Sequence, residues 1–235
     1  MNQFSHLNGK YTKISTSAYN KKMLVISMFF AFSITGCSTL PKHKTEYLAQ
    51  PTTTIDTSQT SLAQMVEPLQ KKHEGLTGYH VLFEPLEALA TRLRLIDRAE
   101  KTLDLQYYIW DNDKVGALAL HALIRAADRG VKIRLLIDDN NAKHTEGIFL
   151  ALAQHPNIEV KLFNPYRFRK HRSLDMVLDL KRINRRMHNK SFIADHQVAL
   201  IGGRNMTNQY YNVSDNYQFS DVDVMLFGTA VDEIS

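Results

Sequence analysis

From about Tyr79 onward, apolar and polar positions alternate between two periods. Leu86, Leu89, Ala90, Leu93, Ile96 and Ala99 recur at helical spacing and predict a helix over about 85–100. Thr102 to Trp110 is rich in strand formers. A second helix is expected over about 114–129, stopped by Gly130, followed by a buried-type strand from Val131 to Ile137 that runs into Asp138-Asp139. A helix near 145–154 and a strand at 158–163 come next. The stretch 164–187 is polar and basic and breaks the rhythm. Two short strands near 191–195 and 197–202, a later one from Val222 to Phe227, and the start of a helix before Ser235 complete the pattern. Such alternation predicts an α/β sandwich with a mixed, partly parallel sheet.

The first 78 residues follow other rules. Lys21-Lys22 precede a 12-residue apolar run, Met23 to Ile34, which is too short for a bilayer core at ~1.5 Å per residue. A positive segment, a short apolar segment and small residues before Cys37 fit a secretory signal over 1–36. Ile34-Thr35-Gly36-Cys37 resembles a bacterial lipobox, which implies that Cys37 is lipidated and that the protein sits in the cell envelope, on the periplasmic face of the outer membrane. The alternative is a buried free cysteine at a helix end. Residues 37–78, rich in Thr, Ser, Gln and Lys, read as a polar tether.

Charge narrows the field less than it promises. The formal charge is +5, but residues 1–36 hold four lysines and no acidic residue, so the remainder carries 25 basic against 24 acidic residues. Whole-chain basicity therefore says little about a substrate. One cysteine excludes an intramolecular disulfide and a thiolate zinc cluster.

The chemistry concentrates between His188 and Asn205. The chain reads His188-x-Lys190-x4-Asp195-x6-Gly202-Gly203-x-Asn205, which resembles the signature of the phospholipase D superfamily and so implies a phosphodiester substrate. With each residue type near ~5% frequency, a chance match is on the order of 10⁻⁵ or less. At period two, His188 and Lys190 point to one side of an extended segment, so both can face a single phosphate. A neutral imidazole is an available nucleophile near neutral pH. Lys190 would supply positive charge, and Asn205 an amide donor, to the non-bridging oxygens. Gly202 and Gly203 would let the backbone approach the phosphate, and Asp195 could orient the motif or hold a histidine tautomer.

This spacing is that of the phospholipase D superfamily, which the chain resembles at all six fixed places. Tyr107-Tyr108-Ile109-Trp110, Asp113, Gly116, the run Ala126 to Val131 and Leu136 to Asp139 further resemble the first half of bacterial cardiolipin synthases, in their lipoprotein-like branch. The resemblance implies a phospholipase D-like half-domain over 79–235, with His188, Lys190 and Asp195 catalytic and Gly202, Gly203 and Asn205 at the phosphate. It also implies a phosphohistidine intermediate and metal-independent chemistry with no cofactor. Family members carry two such motifs, the second histidine protonating the leaving group. His188-Asn189-Lys190 is the sole His-x-Lys here, so the chain is expected to be a truncated first half that needs a second half, or a homodimer partner.

The residues by themselves leave two readings open for Tyr107, Tyr108 and Trp110, core packing or pocket lining, and for Asp138-Asp139, which fit a strand end and helix cap as well. Between Arg167 and Lys190, nine Lys or Arg stand against Asp175 and Asp179, interleaved with Leu174, Met176, Val177, Leu178 and Leu180. That segment suits an anionic lipid surface, against a plain solvated helix face. The leading expectation is phosphatidyl transfer between phospholipids, with no nucleic acid as partner. Phospholipid hydrolysis, a homodimeric nuclease and an inactive lipid-binding fragment are the rivals.

Overall fold

The computed structural model describes residues 55–234. The alternating pattern produces one seven-stranded sheet. In chain order the elements are α1 (Ser61–Lys72), β1 (Thr77–Leu82), α2 (Pro85–Arg98), β2 (Thr102–Tyr107), α3 (Lys114–Asp128), β3 (Lys132–Asp138), α4 (Glu146–Leu152) and β4 (Ile158–Phe163). The two short helices α5 (Arg172–Leu178) and α6 (Leu180–Ile183) occupy the stretch that broke the rhythm. Then come β5 (Ser191–Ala194), β6 (Val198–Gly202), β7 (Asp223–Gly228) and α7 (Thr229–Ile234). The strand order is β1-β7-β6-β5-β2-β3-β4. β2, β3 and β4 run parallel, joined by crossovers through α3 and α4, whereas the other neighbours are antiparallel. The mixed α/β sheet expected from the sequence is what forms.

Period-two alternation sorts the two faces. Leu103, Leu105 and Tyr107 of β2, with Ile133, Leu135 and Ile137 of β3, are buried in the main core with Ala119, Leu123 and Ala126 of α3 and Ala88 and Ile96 of α2. Ile193, Ala199 and Leu226 face the other way and meet Val231 of α7. Caps set the helix starts. Asp113 Oδ1 accepts from the Gly116 N–H at 2.9 Å at the head of α3, and Gly130, with φ +97°, follows its C-terminal end.

The tether expectation needs correction over its second part. Thr60 caps α1 by accepting from the Ala63 N–H at 3.2 Å, and Leu62, Ala63 and Val66 are buried. β1 pairs along its whole length with β7. One turn of apolar residues in a polar stretch sufficed to dock a helix, because burial against the core supplies what periodicity did not show. The folded unit thus begins well before Tyr79. The lipobox-like segment and Cys37 lie outside the described residues.

Candidate active site

β2 and β5 are antiparallel neighbours, and the segment leading into β5 carries His188 and Lys190 past the C-terminal end of β2. His188 is exposed, while Lys190 is 6% exposed. The Lys190 ammonium lies 2.8 Å from His188 Nδ1 and 3.3 Å from Nε2, and donates to the His188 carbonyl at 2.8 Å. The geometry thus brings an imidazole and a lysine side chain together on one side of the segment, the pair that attack at phosphorus and stabilisation of its oxygens require. Burial holds the Lys190 ammonium below the ordinary lysine range, opposed in part by the charge of Asp221. The Tyr108 ring stands 4.8 Å from the His188 ring, and Lys190 Nζ lies 5.5 Å from the Tyr108 centroid.

The aromatic run therefore divides by direction. Tyr107 and Trp110 are core residues, packed edge to face at 5.3 Å, whereas Tyr108 lines the site and accepts from Asn140 Nδ2 at 3.2 Å. Asp221, felt by Lys190 and absent from the motif, is the residue that the spacing did not reveal. It lies in an irregular stretch with no periodicity to mark it.

Two of the expected site residues do different work. Asp195 stands at the far end of β5, five residues from Lys190, or ~16 Å of extended chain, so it does not orient His188. Its carboxylate accepts from the backbone N–H groups of Glu100 (3.0 Å), Lys101 (2.7 Å) and Thr102 (2.9 Å), fixing the entry of β2. Asp195 and His196 also take φ of 48° and 53° in the tight turn joining β5 to β6, closed by Gln197 N–H to the Ala194 carbonyl at 3.0 Å. Asn205 is 1% exposed and clamps two loops, accepting from the Ile109 N–H at 2.9 Å and donating to the Tyr210 hydroxyl at 3.0 Å. It thereby ties the segment after Tyr108 to the loop that carries Tyr210.

The glycine pair is explained by its neighbours. The Gly202 N–H is taken by the Lys190 carbonyl at 3.3 Å and that of Gly203 by the Val222 carbonyl at 3.2 Å, so neither is a free anion donor. A Cβ at Gly202 would stand 2.1 Å from Asp223 Oδ1 and 2.6 Å from the Val222 carbonyl oxygen, and one at Gly203 would stand 2.0 Å from Asp221 Oδ1. The glycines admit the chain that brings Asp221 within electrostatic reach of Lys190 and packs Asp223 against Gly202. Asp223 is buried with two arginines, Arg92 at 2.9 Å and Arg204 at 3.3 Å.

Asp138 and Asp139, both fully buried, are anchors for the basic segment. Asp138 accepts from the Met187 N–H at 2.8 Å and pairs with Arg186 at 3.0 Å. Asp139 accepts from the Tyr166 N–H at 2.8 Å and pairs with Arg169 and Arg172. Arg182 pairs with Asp175 and Asp179. Four of the nine cations thus pair with carboxylates of the fold, contrary to the expectation that the whole cluster serves a lipid surface.

A family model described as "Cardiolipin synthase, PLD-like domain" matches residues 93–224. The chain belongs to this family. Cardiolipin synthase C of Escherichia coli (strain K12) is 48% identical over 174 residues, covering 74% of this chain and 37% of that protein. A protein of Helicobacter pylori (strain J99 / ATCC 700824) is 35% identical over 208 residues, 88% of this chain and 40% of its own. The chain spans well under half the length of these curated relatives. Among solved structures, phosphatidylserine synthase of Haemophilus influenzae Rd KW20 superposes with a TM-score of 0.51 at 15% identity, over 72% of this chain and 39% of that one. That likeness shows the phospholipase D-like fold alone.

Proposed function

We propose that the protein supplies the nucleophilic half of a phosphatidyl-transfer centre of the cardiolipin synthase type. The observation that carries this reading is the His188 imidazole held 2.8 Å from the Lys190 side-chain nitrogen, and the 48% identity to a cardiolipin synthase supports the lipid substrate. A donor phosphodiester would draw Lys190 from His188 to a non-bridging oxygen and free the imidazole nitrogen for attack. A nitrogen–phosphorus bond forms, the phosphorus–oxygen bond to the departing alcohol breaks, and that alkoxide takes a proton from an acid on the opposite side. The hydroxyl of an acceptor lipid then gives its proton back to that group, now a base, and its oxygen displaces His188 from phosphorus in the same in-line manner. A second motif-bearing half, from a homologous segment or a second copy, provides the acid. We place this centre at the periplasmic face of the outer membrane, anchored through Cys37.

Mixing the chain with the second half of a close relative tests the reading on phosphatidylglycerol vesicles. Cardiolipin should form and should vanish with His188→Ala. Phosphatidic acid as the sole product would make the protein a hydrolase, and cleavage of single-stranded DNA with lipid untouched would make it a nuclease. Loss of fatty-acid labelling in Cys37→Ala is the expected result for the anchor, and labelling that persists would refute it.

A further inference from the structure

Helix α5 is built inside out. Asp175 points inward, 1% exposed, where it accepts from the Phe168 N–H at 2.8 Å and pairs with Arg182 at 3.2 Å. Leu174, Val177 and Leu178, spaced i, i+3, i+4, share the other face, and Val177 is 82% and Leu178 69% exposed. Met176 and Leu180 are also more than half exposed. A surface helix ordinarily turns its apolar stripe toward the core, and here ion pairs fill that side instead. Scattered exposed apolar residues are ordinary, but five of them within 174–180 mark a surface that something covers.

The cations around this ridge are those the folded interior does not use. Lys170, Lys181 and Arg185 are exposed and enter none of the ion pairs among the described residues. The nearby carboxylates Asp138, Asp139, Asp175 and Asp179 are already met by arginines. The rim is therefore positive around an apolar centre. We propose that α5 and this rim dock the protein on an anionic phospholipid bilayer, with Leu174, Val177 and Leu178 entering the boundary between headgroups and acyl chains. Apolar side chains entering that layer while Lys and Arg heads stay at the phosphates is the arrangement an interfacial element needs. The inference rests on the phospholipid reading above and names the part of the segment that meets lipid. Arg186 and Met187 are both tied to Asp138, so the segment that follows α6 is anchored immediately before His188.

A fluorescent probe at the ridge tests this in the full chain. Cys37 is the sole cysteine, so Val177→Cys in a Cys37→Ser background carries one environment-sensitive label. Vesicles containing phosphatidylglycerol should shift its emission to the blue, and a quencher placed in the bilayer should quench it. Phosphatidylcholine vesicles should do so at least tenfold less well. A label at Gln154→Cys, exposed beyond α4, should stay in water on both. Replacing Lys170, Lys181 and Arg185 by Gln, with far-UV circular dichroism unchanged, should raise the half-maximal lipid concentration on the order of a hundredfold at low salt. Vesicle binding through the N-terminal apolar run, with the label at 177 still in water, would overturn the proposal. So would equal shifts on both lipids, or a shift without vesicles that grows with protein concentration, which would put a second copy on the ridge. None of these readouts involves catalysis, so their failure leaves phosphatidyl transfer standing.

Discussion

Replacing Asp195 should unfold the protein before it alters the chemistry. Its carboxylate accepts from three successive backbone N–H groups, and the Thr102 N–H is buried, so Asp195→Ala leaves it without a partner that water can replace. Glu100 and Lys101 are exposed, and water takes over most of their share. Hydrogen bonds to a charged acceptor contribute ~1.5–3 kcal/mol each, and an orphaned buried donor costs ~1–3 kcal/mol. Allowing for that hydration, the loss comes to ~3–5 kcal/mol, the range for breaking a buried charged network. With a urea dependence of ~2 kcal/mol per molar, the unfolding midpoint should fall by about 2 M. Asp195→Asn keeps an acceptor for two of the donors and turns its amide toward the third, so about half the loss is expected. His188→Ala, on an exposed side chain, should move the midpoint by less than ~0.5 M. Urea melts of the three variants, followed by circular dichroism, make the comparison. An unchanged midpoint in Asp195→Ala together with lost reactivity at His188 would return the carboxylate to the reaction and refute the reasoning.

The glycine pair should separate sharply. A Cβ at Gly202 meets the Val222 carbonyl oxygen and the Asp223 Cα as well as a buried carboxylate, none of which can move away, so Gly202→Ala should destabilise by ~3 kcal/mol or more. Gly203→Ala meets only the end of the Asp221 side chain, which can swing out, and thermal melts should show a loss of ~1 kcal/mol or less. Equal losses would show that the crowding at the two positions is misjudged. Burial lowers the Lys190 pKa, and its ammonium is the active form, so reactivity at His188 should fall on the alkaline side before an ordinary lysine would titrate. Lys190→Arg should move that limb upward, and an alkaline limb that stays put would assign it to another group.

Sheet and site were legible in the sequence to different depths. β2, β3 and the helices α2 and α3 were readable because each buries one regularly spaced face, and β5 to β7 because they are short runs of strand formers between turn residues. α1 was not, since only Leu62, Ala63 and Val66 of its residues are buried and the surrounding Thr and Gln mask them. The motif spacing located His188 and Lys190 and brought them together. It could not say that Asp195 and Asn205 act on backbone elsewhere, because their partners at Glu100 to Thr102 and at Ile109 lie ~95 residues away in sequence. The arginine cluster misled for a similar reason. Its carboxylate partners Asp138 and Asp139 come from the end of β3, and charge counted locally omits them.

In the proposed reaction His188 is the group that takes phosphorus. An activated phosphodiester bearing a p-nitrophenyl leaving group tests this most directly, because that phenolate departs without a general acid and needs no second half. Incubation of the full chain should release one nitrophenolate per protein in a burst. Mass spectrometry should find the phosphoryl adduct on His188, acid-labile and absent from His188→Ala. No burst, or an adduct on any other residue, would contradict the assignment.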